Sequence, residues 1–197
     1  SRDAVGEHAI GLLLGLLRKI NKSDKEVRRG EWIREGNRGI ELKDKTIGII
    51  GYGNMGSAFA EKLHGFGVRV ISYDKYKKAY ADMHTSEVDM DSIFAETDIL
   101  SLHVPLTEET TYLFNSAYLE KFKKNIFLIN TARGMCVNTQ HLVEGLKSAK
   151  LRGAALDVLE YEDRSFEVLD KERLPDPFQY LINSDNVYLW EEYIYGT

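Results

Sequence analysis

The stretch TIGIIGYGNMGSAFAEKLHGFGVRVISYD, Thr46 to Asp74, carries the reading of the whole chain. Ile47, Ile49 and Ile50 form the β-branched apolar run of a strand buried on both faces. Gly51, Gly53 and Gly56 follow at once in the spacing G-x-G-x-x-G, and from Met55 onward Ala58, Phe59, Leu63 and Phe66 recur at helical spacing. The glycines therefore sit where a helix begins, with its free N–H groups and positive dipole end presented to an anion. A second apolar strand, Val68 to Tyr73, closes a βαβ unit and ends on Asp74, near the spacing of roughly 20 residues expected of a carboxylate that accepts from a ribose 2′-hydroxyl. Glycines also mark ordinary turns, so the signal lies in the strand before, the helix after and the terminal acid together. The unit is expected to bind a dinucleotide. Asp74 favours NAD over NADP, because a carboxylate pairs with a free 2′-hydroxyl and repels a 2′-phosphate. Lys75, Lys77 and Lys78 follow it, and either soften that discrimination or belong to a solvated loop.

The chain around this unit has 197 residues, 43% of them hydrophobic, which suits one large domain or a small pair with a real core. A net charge of −5 with both signs interspersed offers no basic stripe, so nucleic acid and anionic membrane are poor partners. The one cysteine, Cys136, cannot form an internal disulfide, fits a reducing compartment and reads as a small apolar residue. No apolar run reaches the roughly 20 residues of a membrane span. The N-terminal segment carries Asp3 and Glu7 ahead of its leucines, unlike a signal peptide. A cytoplasmic protein is expected. Because the chain opens on Ser1 inside an apparent helix and stops soon after an apolar strand, it reads as an excised domain.

Val5, Ala9, Leu12, Leu13, Leu16, Leu17 and Ile20 place one broad apolar stripe on a helix over Asp3 to Ile20, with Asn21 as its stop. This is either a core helix or one that packs between domains or on a second subunit, with Gly11 and Gly15 admitting another backbone. Lys22 to Gly39 is charged, contains Trp32 and reads as an excursion from the body, the tryptophan serving either as an interface anchor or as a local cap. Beyond Asp74 the segment to Thr85 shows little periodicity. Strands are expected at Ile99 to Val104, Ile126 to Asn130, Gly153 to Val158 and Asn186 to Trp190. Helices are expected at Asp91 to Glu96, Ser116 to Lys123 with Asn115 as N-cap, and Thr139 to Ser148. Residues around Pro175 and Pro177 read as a charged loop. Strand and helix alternate through at least six strands, the pattern of an α/β, doubly wound parallel sheet (Rossmann fold) that binds ligands at its strands' carboxyl ends. His103 lies at such an end, as a ligand or as a loop cap. Arg133 follows another, well placed to hold a carboxylate bidentately. No Cys/His cluster suggests a metal.

Several motifs agree in order and spacing: Asp3-Ala-Val-Gly-Glu-His8, Gly30-Glu-Trp32, Gly51-Tyr-Gly-Asn-Met-Gly56, Leu102-His-Val-Pro-Leu-Thr107, Ile129-Asn-Thr-Ala-Arg-Gly134 and Gly153-Ala-Ala-Leu-Asp-Val158. Together they resemble the NAD-binding domain of the D-isomer-specific 2-hydroxyacid dehydrogenases, in particular the phosphoglycerate-dehydrogenase-like branch. The resemblance implies that residues 1–197 are a cofactor domain whose substrate domain is absent, with an interdomain or dimer helix over 1–21, a dimer-interface excursion over 22–45 and a Rossmann core over 46–190. It implies an oxidoreductase moving hydride between NAD and a small D-2-hydroxy acid or 2-keto acid, 3-phosphoglycerate among them, in a homodimer.

Carried over residue by residue, the resemblance has Gly51, Gly53, Asn54, Met55 and Gly56 meet the pyrophosphate and Asp74 hold the adenosine ribose. Val104 lies along the cofactor, Thr131 and Ala132 line the nicotinamide side, and Asp157 holds the carboxamide. Arg133 binds the substrate carboxylate, and Glu162 pairs with a catalytic histidine. That histidine belongs in a Thr/Ser-Pro-His turn after the last strand, where this chain has Trp190, Glu191 and Glu192; none of His8, His64, His84, His103 and His141 falls there. The fragment is accordingly expected to be inactive by itself. An NAD-sensing dimeric interaction protein, like the C-terminal-binding corepressors, and a pseudoenzyme of the same fold are the alternative expectations.

Overall fold

A computed structural model of the protein describes residues 1–161 and 174–190. Among these, seven parallel strands form one sheet in the order β3-β2-β1-β4-β5-β6-β7. The strands are β1 (Thr46–Ile50), β2 (Arg69–Tyr73), β3 (Ser86–Glu87), β4 (Ile99–Leu102), β5 (Ile126–Asn130), β6 (Leu151–Leu156) and β7 (Val187–Leu189). The helices are α1 (Arg2–Arg18), α2 (Ile20–Arg28), α3 (Asn54–Lys62), α4 (Met90–Glu96), α5 (Ser116–Glu120), α6 (Thr139–Lys147) and α7 (Asp176–Ile182). The chain builds outward from β1 through β2 to β3, then returns to the other side of β1 with β4. That reversal leaves a crevice at the carboxyl ends of β1 and β4, the place where open α/β sheets take ligands.

Every residue of β1 and of β5 is buried, as the apolar runs of the sequence require of strands covered on both faces. Alternation along each strand sorts the core into two. Ile47, Ile49, Ile99 and Ile129 pack with Leu12, Leu13, Leu17, Phe59 and Leu63 on the side of α1 and α3. Ile50, Leu100, Leu102 and Leu128 pack with Leu119, Phe122, Leu142 and Phe178 on the other. Each buried leucine of α1 contributes about 1.5–3 kcal/mol of apolar burial, so this helix is part of the core as well as of any surface it offers elsewhere.

Four local expectations change. α1 stops at Arg18, because Lys19 takes a left-handed conformation (φ 54°, ψ 38°) with its N–H on the Gly15 carbonyl. The chain then re-enters a helix, α2, in the segment read as an excursion from the body. α2 buries no residue; it is supported by i,i+4 pairs, Lys22–Glu26 at 2.8 Å and Arg28–Asp24 at 2.9 Å, which hydrophobic periodicity cannot reveal. Gly15 makes room for a side chain rather than another backbone, since a Cβ there would lie 2.9 Å from the Tyr188 ring. The residues around Pro175 and Pro177 form α7, where proline in the first turn loses only an N–H that has no helical partner, and Phe178 and Leu181 are buried. The strand β3 also went unread; it has two residues and pairs only at the sheet edge with β2.

Candidate functional site

The glycine turn is shaped by close approaches that only glycine permits. Gly51 has φ +92°, and a Cβ on it would meet the His103 carbonyl oxygen at 2.3 Å, so the end of β4 rests directly on the turn. A Cβ on Gly56 would meet the Gly51 carbonyl oxygen at 2.1 Å, which locks the helix start against β1. At Gly53 a Cβ would meet nothing within 4 Å. Open space therefore lies over the N-terminus of α3, no side chain caps that end, and Asn54 and Met55 are exposed there. The first N–H groups of a nine-residue helix are thus available to an anion of the size of a pyrophosphate.

Asp74 stands beside this turn at the end of β2. Its Oδ2 accepts from the Tyr52 N–H at 2.9 Å, and its Oδ1 accepts from Tyr76 and Lys77 N–H at 2.9 and 3.0 Å. Burial raises its pKa, but those three main-chain donors and the Lys77 ammonium more than offset it, so the carboxyl titrates below its ordinary value. An ionised carboxylate offers about four acceptor positions. Three are used by the main chain, and the remaining one suits a single hydroxyl donor, not a phosphate. Lys77 donates to the Tyr52 carbonyl at 2.9 Å and Lys75 pairs with Glu109 at 2.7 Å, so both lysines are engaged locally. The Tyr52 hydroxyl donates to Asp82 at 2.8 Å; burial first, and then that acid, raise its pKa.

On the other side of the crevice, Asn130 ends β5 fully buried. Its side-chain Oδ1 accepts from Ala132 N–H at 3.0 Å and its side-chain Nδ2 donates to the Arg133 carbonyl at 3.1 Å. Asn130 entered the sequence reading only as part of a motif and as a strand end, with no role; a polar residue closing an apolar strand is the signal that marks it. It holds the loop Thr131–Arg133 in place. Ala132 buries its methyl in the core. The Thr131 hydroxyl is buried with no partner among the described residues. The Arg133 side chain is exposed, donates to the Ala132 carbonyl at 2.6 Å and has no carboxylate partner among the described residues. The following Gly134 is obligatory, because a Cβ on it would lie 1.9 Å from the Leu159 carbonyl oxygen. This contact sets the Arg133 loop against the segment after β6.

Asp157 opens that segment. Its side chain is 3% exposed, its N–H donates to the Asn130 carbonyl at 3.0 Å, and its Oδ1 lies 3.1 Å from His8 Nε2. His8, read from the sequence only as part of a motif, therefore reaches the site from α1. Its ring lies 5.9 Å from that of Trp190. His103, in contrast, points into the molecule. Its Nε2 is 2.8 Å from the Ser101 hydroxyl, its ring packs on Phe59, and burial pushes its pKa down to about 4, which makes it a structural histidine. Val104 is half-buried beside the glycine turn, within 3.0 Å of a Cβ built on Gly51. Glu160 is held by the Tyr112 hydroxyl and by Thr139 N–H. Glu162 and the residues from Glu191 onward lie outside the described residues. Among the described residues no group of three His, Cys, Asp or Glu is placed to hold a metal, and no helix is long and apolar enough to cross a membrane.

The family profile for the D-isomer specific 2-hydroxyacid dehydrogenase, NAD binding domain, matches residues 10–190. A glyoxylate reductase of Thermofilum pendens is 43% identical over 167 residues, 81% of this chain and 49% of that protein. A hydroxypyruvate reductase of Thermotoga maritima is 37% identical over 187 residues, 95% of this chain and 58% of that protein. The crystal structure of the D-lactate dehydrogenase of Lactobacillus jensenii with NAD+ superposes with a TM-score of 0.85 at 31% identity, covering 96% of this chain and 58% of that one. The chain thus spans about half the length of the curated relatives it matches. It belongs to the D-isomer-specific 2-hydroxyacid dehydrogenase family as an NAD-binding domain.

Proposed function

We propose that this NAD-binding domain serves a dehydrogenase that interconverts a small D-2-hydroxy acid and its 2-keto acid. The observation that carries the reading is Arg133, an exposed guanidinium without a carboxylate partner among the described residues, fixed by Asn130 next to Asp157 at the carboxyl ends of β5 and β6. A guanidinium in that setting binds a substrate carboxylate and polarises the carbonyl oxygen next to it. NAD, when bound, supplies hydride transfer. Its pyrophosphate would be met by Gly51, Gly53, Asn54, Met55 and Gly56 at the start of α3, and its adenosine ribose by Asp74. Val104, Thr131, Ala132 and Asp157 would meet the nicotinamide half, Asp157 through the carboxamide. The uncapped helix start, the open space at Gly53 and the one spare acceptor position of Asp74 all suit this cofactor.

Glu162 is assigned by the family pattern to pair with the proton-transfer histidine. The positions where that pattern has its Thr/Ser-Pro-His turn are Trp190, Glu191 and Glu192 here. The relatives include glyoxylate and hydroxypyruvate reductases, a D-lactate dehydrogenase and aromatic 2-oxoacid reductases, which favours an unphosphorylated 2-keto acid over 3-phosphoglycerate. No described residue singles out the phosphoglycerate-dehydrogenase-like branch. Pairing of two copies through α1 and the segment over residues 22–45 is supported by exposed Ile20, Val27, Trp32 and Ile33, an apolar set that a partner surface would cover.

Fluorescence titration tests the cofactor reading directly. NADH is expected to bind saturably and NADPH at least about tenfold more weakly, the scale of one lost charge-compatible contact. Equal binding of both would sink the assignment of Asp74. In the whole protein, Arg133→Leu is expected to lower kcat/KM for NADH-dependent glyoxylate reduction by about a hundredfold or more, while unchanged turnover would remove Arg133 from the reaction.

A further inference from the structure

We infer that His8 is a positioning residue for the nicotinamide end of the cofactor: from α1 it fixes the Asp157 carboxylate in the orientation that receives the carboxamide. This rests on the NAD-site reading above. His8 Nε2 lies 3.1 Å from Asp157 Oδ1, with the two side chains 21% and 3% exposed. An ionised carboxylate can only accept, so Nε2 carries the hydrogen. The contact joins residues 149 apart in sequence and ties the end of β6 to a helix whose neighbouring residues Ala9, Leu12 and Leu13 are buried in the core.

The physical need is specific. Rotation of a carboxylate about its last side-chain bond is soft and nearly two-fold, so burial alone leaves the oxygen lone pairs poorly aimed. The Asp157 main chain is already fixed through its N–H on Asn130, but that bond does not set the carboxylate plane. A donor on a rigid helix does. A carboxylate has about four acceptor positions, and with Oδ1 held by His8 its plane keeps a defined direction toward an amide donor such as a carboxamide. Trp190, at the end of β7 with its N–H on the Leu156 carbonyl at 3.0 Å, sets its ring against the His8 ring and limits the imidazole's own rotation.

The test compares NADH with ADP-ribose, which lacks the nicotinamide, in equilibrium titrations of the full chain. His8→Phe keeps an aromatic ring against Trp190 but removes the donor; His8→Gln keeps a donor. His8→Phe is expected to weaken NADH about tenfold while leaving ADP-ribose within about twofold, and His8→Gln to restore most of the NADH affinity. Asp157→Asn should cost NADH a similar factor, and adding His8→Phe to it should cost little more, since the two act as one unit. The inference is overturned if His8→Phe leaves the NADH to ADP-ribose ratio unchanged, if it weakens both ligands equally, or if Asp157→Asn leaves the ratio unchanged. Failure of wild-type protein to bind ADP-ribose would instead remove the dinucleotide site itself, and the inference with it.

Discussion

The two ends of the crevice are built by different means. Around β1, α3 and β2 the groups offered to a ligand are mostly main chain: the free N–H groups at the start of α3, the space left by Gly53, and Asp74, whose own carboxylate is held by three main-chain donors. Those groups all lie within one continuous stretch from Thr46 to Lys77, with the end of β4 resting on its turn at Gly51. Around β5 and β6 the groups are side chains, and other side chains aim them: Asn130 braces the Arg133 loop from within the same short stretch, and His8 reaches Asp157 across 149 residues. A main-chain site is intolerant of change within its motif, because altering it alters the fold. A side-chain site tolerates loss of a functional group and can depend on a partner outside its own motif, as Asp157 does on His8.

The hardest test of that contrast is Gly51→Val. Its Cβ would collide with the His103 carbonyl in a left-handed backbone, and we expect a loss of about 4 kcal/mol or more in urea unfolding, enough to deplete the folded state. Folded protein of near wild-type stability would show that the turn can relax and is less binding than its geometry implies.

His103 sharpens the contrast with His8, since one histidine packs against Ser101 and Phe59 and the other stands against Asp157. Its pKa falls from 6.5 to about 4 on burial. The unfolded chain therefore binds a proton at higher pH than the folded one. The stability that neutral His103 confers is full above pH 6.5 and is lost as pH drops toward 4, by about 3 kcal/mol in total. Replacing it by glutamine, which does not titrate, should flatten the stability profile across that window relative to wild type. Parallel profiles would mean that His103 is solvated.

Asn130→Ala removes both bonds to the Arg133 loop from a fully buried site, and should cost about 2 kcal/mol in thermal or urea unfolding. A change under about 0.5 kcal/mol would show that the loop is held by its neighbours instead. Arg133→Leu is the smallest effect. An exposed side chain with no carboxylate partner among the described residues should shift stability by less than about 0.5 kcal/mol even though turnover collapses. A large destabilisation would turn Arg133 into a fold residue and erase the distinction between the two ends.

Legibility in the sequence follows the same division. The βαβ unit could be read because its signals are local: β-branched strand residues, glycine spacing and a terminal acid within one run. The Asn115 N-cap was legible for the same reason, and its side chain accepts from Tyr118 N–H at 3.0 Å. α2 escapes a reading by periodicity because charge pairs at i,i+4 leave no apolar stripe, and α7 because its short run follows a charged stretch and opens on prolines. Motif matching named Asp157 and Arg133 as candidates, but it did not mark Asn130 as a brace or His8 as a neighbour of Asp157.

By itself, the sequence determined the parallel doubly wound sheet, the NAD-binding unit and the family, since these depend on short-range periodicity, backbone sterics and motifs in fixed order. Only the tertiary structure decided that Asp74 has one acceptor position to spare, that His103 is spent on the core, and that His8 stands against Asp157. Those facts depend on which groups from distant strands and helices are brought within hydrogen-bond range. A contact across 149 residues leaves no trace in the local pattern at either end.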